Sequence, residues 1–216
     1  MAEAASGLHA LKRVWKPFVL IQSFAVLAAV TYYLVPGAAG VWRPLGELKA
    51  HYGLLGSAIA TVFASIVIPQ LARVLTKKAR EATTKDYLFE VGFFATIGVV
   101  VDLLYQLQTR LFGTGIDLVT LAQKVAFDQF VVAPLTTIPF TAILFIWRES
   151  NFDLNQTKKA LPGFRSKYWS LMTTCWAFWL PVLCCVYAMP SVLQFPLYLF
   201  TQAAWSLLIV TMSDQT

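Results

Sequence analysis

Apolar positions along this chain come in long unbroken runs, not in period-two alternation or narrow helical stripes. From Pro17 to Trp42 no Lys, Arg, Asp or Glu interrupts, and FVLIQSFAVLAAVTYYLV forms the heart of that interval. A second run lies between Lys49 and Arg73 around GLLGSAIATVFASIVI. A third extends from Val91 to Thr109 with one acid, Asp102, and a fourth from Gln129 to Trp147. Crossing a hydrocarbon core about 30 Å thick takes about 20 apolar helical residues, so each of these runs predicts one span. The last run, Tyr168 to Ser213, holds 46 residues without a charge, too many for one helix. Pro190 and Pro196 bracket a natural break in it, because proline removes a backbone donor and clashes with the preceding turn. The expected fold is all-α, a polytopic transmembrane helical bundle. Its span count is six if 170–188 and 196–212 both cross, and five if residues 168–213 cross once.

Composition agrees. Apolar residues make up 58% of the 216 and charged residues 13%, against about 45–50% and about 25% in globular domains. So little charge cannot cover a soluble surface of this size, and the same figures exclude disorder and a disulfide-stapled secreted module. The net charge of +6 does not call for nucleic acid, because its distribution has another cause. Segments 1–16, 73–90 and 148–167 carry thirteen basic residues, while the alternating segments 43–49 and 110–128 carry four. That bias is what the positive-inside rule produces. It places the amino terminus on the inner side and, with six spans, the carboxyl terminus beside it. Trp15, Trp42, Tyr52, Trp147, Tyr168, Trp169 and Tyr198 stand near span ends, where amphipathic rings favour the headgroup level.

The loops predict less. The segment MAEAASGLHALKRVWKP reads as a retained amino terminus rather than a signal peptide. ARVLTKKAREATTKD reads as the second helix projecting beyond the bilayer, and 116–127 as an amphipathic stretch able to lie in the interface. Cys175, Cys184 and Cys185 share one apolar stretch and read as packing residues.

Chemistry is sparse. His9 and His51 have no second ligand at helical spacing, and no HExxH, GxSxG or Walker loop occurs. The chain reads as a non-enzyme without cofactor or metal. Asp102 is the exception, since a carboxylate inside a span is costly and invites a functional reading. Helical spacing aligns Gly98, Asp102, Tyr105, Gln106 and Thr109. Comparable stripes are Ser57, Thr61 and Ser65; Gln129, Ala133, Thr136, Thr137 and Thr141; and Tyr198, Gln202 and Ser206. One reading makes Asp102, Gln106, Gln129, Thr136 and Gln202 the lining of a hydrated path with mild preference for cations. The other makes the stripes helix–helix glue.

The stretch KVAFDQFVVAP, Lys124 to Pro134, resembles the K-x(3)-D-Q-x(4)-P motif of the small membrane-protein family named for Mpv-seventeen and peroxisomal membrane protein two. Gly98 to Tyr105 is similar to that family's GPxxHxWY element, with Gly98 and Tyr105 in place and Val99, Asp102 and Leu104 standing for proline, histidine and tryptophan. Ser65 to Gln70 resembles its D-x(3)-Q-Q without the acid, and Trp179, Pro190 and Trp205-Ser206 fall near its W-P, V-P and W-N positions. An asparagine–phenylalanine pair and an arginine of the family have no counterpart. Lys124, Asp128, Gln129 and Pro134 would be structural in this reading, with Asp128 and Gln129 capping backbone groups of neighbouring helices and Pro134 bending the span.

The resemblance covers about 54–210 and divides the chain into an inner-side segment 1–16, an additional span and loop 17–48, and a family-like domain 49–216. It implies an organelle membrane, mitochondrial inner before peroxisomal or plastid, and pore-like passage of small polar solutes or metabolites. The family positions missing from this chain leave a second reading, a non-catalytic accessory or scaffold subunit. The expected partners are the lipid bilayer and either further copies of the chain or a larger membrane complex.

Overall fold

A computed structural model describes residues 15–75 and 82–213 of the chain. Every regular element among them is helical: α1 (Trp15–Leu34), α2 (Ala38–Val62), a π-helical turn (Phe63–Val67), α3 (Ile68–Leu75), α4 (Thr84–Phe112), α5 (Leu118–Phe127), a π-helical stretch (Asp128–Thr137), α6 (Ile138–Glu149), α7 (Leu154–Ala188) and α8 (Ser191–Ser213). Four stretches are long and apolar enough to cross a membrane: Ala38–Leu71, Thr84–Phe112, Leu118–Glu149 and Leu171–Ala188. Val19–Leu34 is apolar but shorter. The segment 1–14 and the centre of the charged run, 76–81, lie outside the described residues.

The solvent of this fold is legible in its exposure pattern. Leu135 is 72% exposed and Leu34 74%, whereas Asp102 is 3% exposed and Gln129 2%. Apolar side chains on the outside and polar ones within are what a helical bundle in lipid requires, because hydrocarbon satisfies no hydrogen bond.

Local chemistry sets the helix ends. Gly37 takes the left-handed conformation (φ 83°) before α2, a position that an L side chain resists. Thr83 and Asp86 close a reciprocal capping box on α4, each side chain accepting from the other's backbone N–H. Gly113 (φ 82°) ends that helix. The Asp117 carboxylate caps α5 by accepting from the amides of Val119 and Thr120. The Thr120 hydroxyl, together with those amides, holds its carboxyl below the usual carboxylate range.

Three expectations are corrected. Segment 43–49 is not a loop but part of α2, which restarts directly after Gly37 and is kinked at Gly53 (φ 52°, ψ −137°). Segment 116–127 is not a separate interfacial piece, since α5 continues without a break through the π-helical stretch into α6. Pro196 does not mark the start of the last helix. The break falls at Met189–Pro190, and Pro196 lies inside α8, in its second turn.

The π-helical stretch has an identifiable cause. In its register each N–H reaches the carbonyl five residues back, as Ile138 does to Ala133. Pro134 and Pro139 have no N–H, so the carbonyls of Gln129 and Pro134 lose their donors. Helix α7 supplies replacements: Trp176 Nε1 donates to the Gln129 carbonyl at 2.9 Å and the Tyr168 hydroxyl to the Pro134 carbonyl at 3.0 Å. Two orphan acceptors thereby dock α7 along the widened helix.

Helix α2 packs along α4 and α8, α1 lies on α7 and α8, and the α5–α6 rod lies against α7. Phe178, Val182, Val186, Tyr187, Leu193 and Leu197 form the core between α7 and α8. Arg148 joins the two ends that carry the basic excess, bonding Asp86 at 2.7 Å and Glu90 at 3.4 Å. Removing a donor from either π-helix carbonyl, by Tyr168→Phe or Trp176→Phe, is expected to cost about 1 kcal/mol each. Thr136→Val, which removes an exposed hydroxyl already returned to the Val132 carbonyl, is expected to be neutral. Reversible unfolding in mixed micelles measures all three.

Candidate functional site

Three of the four polar stripes converge on one seam. Ser57, Thr61 and Ser65 follow one another at four-residue spacing on the face of α2 and its π turn that meets α4 and α8, and all three are buried. At the α4 side the Ser57 hydroxyl donates to Asp102 Oδ2 at 2.6 Å. One turn on, Gly98 admits the close approach of α2: a Cβ there would stand 2.5 Å from the Ser57 carbonyl and 2.9 Å from Thr61 Cβ, with the Thr61 hydroxyl nearer still. At the far end the Gln202 amide donates to the Ser65 hydroxyl at 3.2 Å. Along the seam the Thr61 hydroxyl is returned to the Ser57 carbonyl of its own helix, and Ser57 also reaches the Gly53 carbonyl.

The seam opens at the Asp102 end into a pocket of about 310 Å³, whose polar lining is Lys49, Asp102, Gln106, Thr109, Arg110 and Ser191. Asp102 is fully engaged there. Lys49 Nζ stands 2.8 Å from Oδ2 beside the Ser57 hydroxyl, and the Gln106 amide donates to Oδ1 at 3.2 Å. Lys49 also lies over the Phe195 ring, 5.7 Å from its centroid, a cation–π arrangement. This ion pair corrects the expected cation preference, since the carboxylate that was to attract cations is already neutralised. Lys49 escaped the sequence reading because it was assigned to a loop; as part of α2 its side chain has a fixed origin facing α4.

The other predicted path residues stand elsewhere. Thr136 is exposed on the outer face, and Gln129 packs against α7, apart from the seam, with its side-chain oxygen 4.0 Å from Cys175 Sγ. Of the five, Asp102 and Gln106 share the pocket and Gln202 closes the opposite end of the seam. Cys175, Cys184 and Cys185 are free thiols.

Tyr105, Asp128, Gln129 and Trp179 meet at a second centre, while Gly98 belongs to the seam. The Tyr187 hydroxyl donates to Asp128 Oδ2 at 2.6 Å and receives the Gln108 amide at 2.6 Å. Tyr105 meets the rings of Tyr187 and Tyr198 edge-on at 5.4 and 6.2 Å, and Trp179 stacks on Tyr198 at 5.8 Å. Asp128, Tyr105 and Trp179, which come from three separate stretches, are thus linked through two tyrosines. Lys124 is buried one turn before Asp128, yet the i,i+4 spacing makes no ion pair between them. The expected role of Asp128 and Gln129 as backbone caps is corrected too: Asp128 accepts from side chains, Tyr187 and the Gln129 amide (3.0 Å). Trp205 packs on Phe178 at 4.3 Å, and the Pro190 carbonyl accepts the amides of Leu193 and Gln194 as α8 begins. Tyr187 was legible only as a phenol in an apolar run, which needs a partner once buried.

Among the described residues no group of three His, Cys, Asp or Glu side chains is disposed to hold a metal ion. Comparison with protein-family models, with curated proteins and with solved structures finds no match.

The Lys49–Asp102 pair makes a direct prediction. Lys49→Met strands a carboxylate that is 4% exposed at its side chain, so it is expected to destabilise by about 3 kcal/mol. Asp102→Asn, whose unpartnered Lys49 retains a route to the pocket, is expected to cost less. The double variant should be more stable than Lys49→Met alone, and a double-mutant cycle in mixed micelles reads that coupling.

Proposed function

We propose that this chain is a six-span membrane protein, amino terminus on the inner side, that passes small polar solutes along the seam between α2, α4 and α8. The observation carrying this reading is the convergence of Asp102, Ser57, Thr61, Ser65 and Gln202 into one buried polar column that ends in a pocket. Eight residues of helix separate Ser57 from Ser65, about 12 Å of rise, a substantial fraction of a hydrocarbon core. The topology has support from where ends meet. Lys49, Arg110 and Ser191 share the pocket; the first two belong to the segments, 43–49 and 110–128, that the basic-residue count puts on the outer side, and a sixth span puts Ser191 there with them. Arg148, Asp86 and Glu90 join two that it assigns to the inner side.

Passage in this reading requires α2 and α4 to part where Gly98 meets Thr61, the tightest contact of the seam. The resemblance to the Mpv-seventeen and peroxisomal membrane protein two family agrees with such a role and directs attention to an organelle membrane, the mitochondrial inner membrane first. Purified protein in liposomes is expected to release small polar solutes above the protein-free rate. Asp102→Asn, which leaves Lys49 unneutralised at the mouth, is expected to shift charge selectivity toward anions by about severalfold. Wild-type liposomes no leakier than empty ones would defeat the reading.

A second reading, a non-catalytic accessory or scaffold subunit, is favoured by one feature: the seam hydroxyls already have partners within the protein, Thr61 in its own helix, Ser57 in Asp102 and Ser65 in Gln202. Extraction in mild detergent followed by native sizing separates the two, since a scaffold leaves the membrane in a stable large complex and a channel as a monomer or small homo-oligomer.

A further inference from the structure

The pocket at the end of the seam has a charge and a donor set that together define its occupant. Three charged groups line it, Lys49, Asp102 and Arg110, beside the neutral phenol of Tyr105. One carboxylate against two cations leaves the cavity with one net positive charge. The carboxylate, moreover, is spent. Its Oδ2 accepts from both Lys49 and Ser57, and its Oδ1 accepts from Gln106. An incoming cation would find both carboxylate oxygens already accepting hydrogen bonds and would face two positive groups.

Hydrogen-bond donors, in contrast, are in surplus. Arg110 is exposed, and no carboxylate among the described residues lies within ion-pair distance of it. Its guanidinium offers five N–H groups in a planar fork, a shape that matches phosphate bidentately. Lys49 gives one N–H direction to Asp102 and has others left. The Ser191 hydroxyl adds a donor from the first turn of α8. That turn is not spent on its own helix, because the Pro190 carbonyl takes the amides of Leu193 and Gln194 and leaves those of Ser191 and Val192 as first-turn orphans. The positive end of the α8 dipole therefore faces the same cavity as Arg110 and Lys49.

We propose that this pocket binds an oxyanion of the phosphate type, Arg110 gripping it as a fork and Lys49, Ser191 and the start of α8 completing the cradle. A volume of about 310 Å³ corresponds to about ten water molecules at the liquid density of roughly 30 Å³ each. A phosphate group fits with room for a small carbon skeleton, which Val192 and Phe195 would wall on the apolar side. The same chemistry is offered by a free phosphate-bearing solute and by the phosphodiester of an anionic lipid headgroup. The inference concerns occupancy of the pocket, so it is decided by binding, whereas the passage reading is decided by flux.

The test uses the full chain in nanodiscs of phosphatidylcholine, with inorganic phosphate titrated against chloride at equal ionic strength and binding read by calorimetry and by thermal shift. A parallel arm compares phosphatidylglycerol with phosphatidylcholine discs in phosphate-free buffer. Saturable phosphate binding that weakens about tenfold or more in Arg110→Gln is the expected result. Arg110→Lys, which keeps the charge and loses the fork, should fall between. Lys85→Gln, which removes a distant exposed cation, should bind as wild type does. If phosphate acts in phosphatidylcholine discs, the occupant is a free solute. If only phosphatidylglycerol stabilises the protein, and Arg110→Gln abolishes that, the occupant is a lipid headgroup. No response of wild type in either arm, or an equal response in Arg110→Gln, overturns the proposal. So does saturable stabilisation by a metal cation that survives Arg110→Gln.

Discussion

A carboxylate held between helices in an apolar bundle has to be neutralised where it stands, because leaving a buried charge unpaired carries a desolvation penalty of several kcal/mol. Asp102 meets this constraint with Lys49, Ser57 and Gln106, and the solution fixes more than a charge. It ties α2 to α4 between the kink at Gly53, which follows the turn that carries Lys49, and Gly98, whose missing side chain lets the two backbones come close.

The same rule, that every buried polar group must find a partner inside the protein, organises the other half of the molecule through backbone rather than charge. Prolines 134 and 139 take two donors out of the helix, the chain widens to π register, and α7 returns the missing bonds from Trp176 and Tyr168. Asp128, at the start of the π-helical stretch, is held by Tyr187, whose hydroxyl is held in turn by Gln108. A functional reading has to begin from polar groups left with spare capacity. At the pocket those are Arg110, Lys49 and the start of α8, which give it its sign.

The uncharged runs announced lipid as the solvent and all-α as the fold class. They did so because a backbone in hydrocarbon can satisfy itself within a single helix, a property that needs no knowledge of neighbours. Period arithmetic was equally sufficient to align Ser57 with Thr61 and Ser65, or Asp102 with Gln106, since residues four apart share a face whatever that face meets. What the face meets is another matter. Three stripes converged and the fourth, through Gln129, turned to α7, because helix rotation is set by packing partners distant in sequence.

The boundaries and the charge of the site belonged to tertiary structure for the same reason. Segment 43–49 looks like a loop by its Arg, Pro, Gly, Glu and Lys, yet it is helical because docking against α8 at Leu193 outweighs weak local propensity. Only with that helix in place does Lys49 have a defined reach, and only then does Asp102 change from an isolated acid into half of an ion pair. Sequence alone determined which solvent the chain is built for and which residues could share a face. Three-dimensional contact decided which of those residues meet and what net charge they present, because electrostatic energy falls with distance in space and takes no account of separation along the chain.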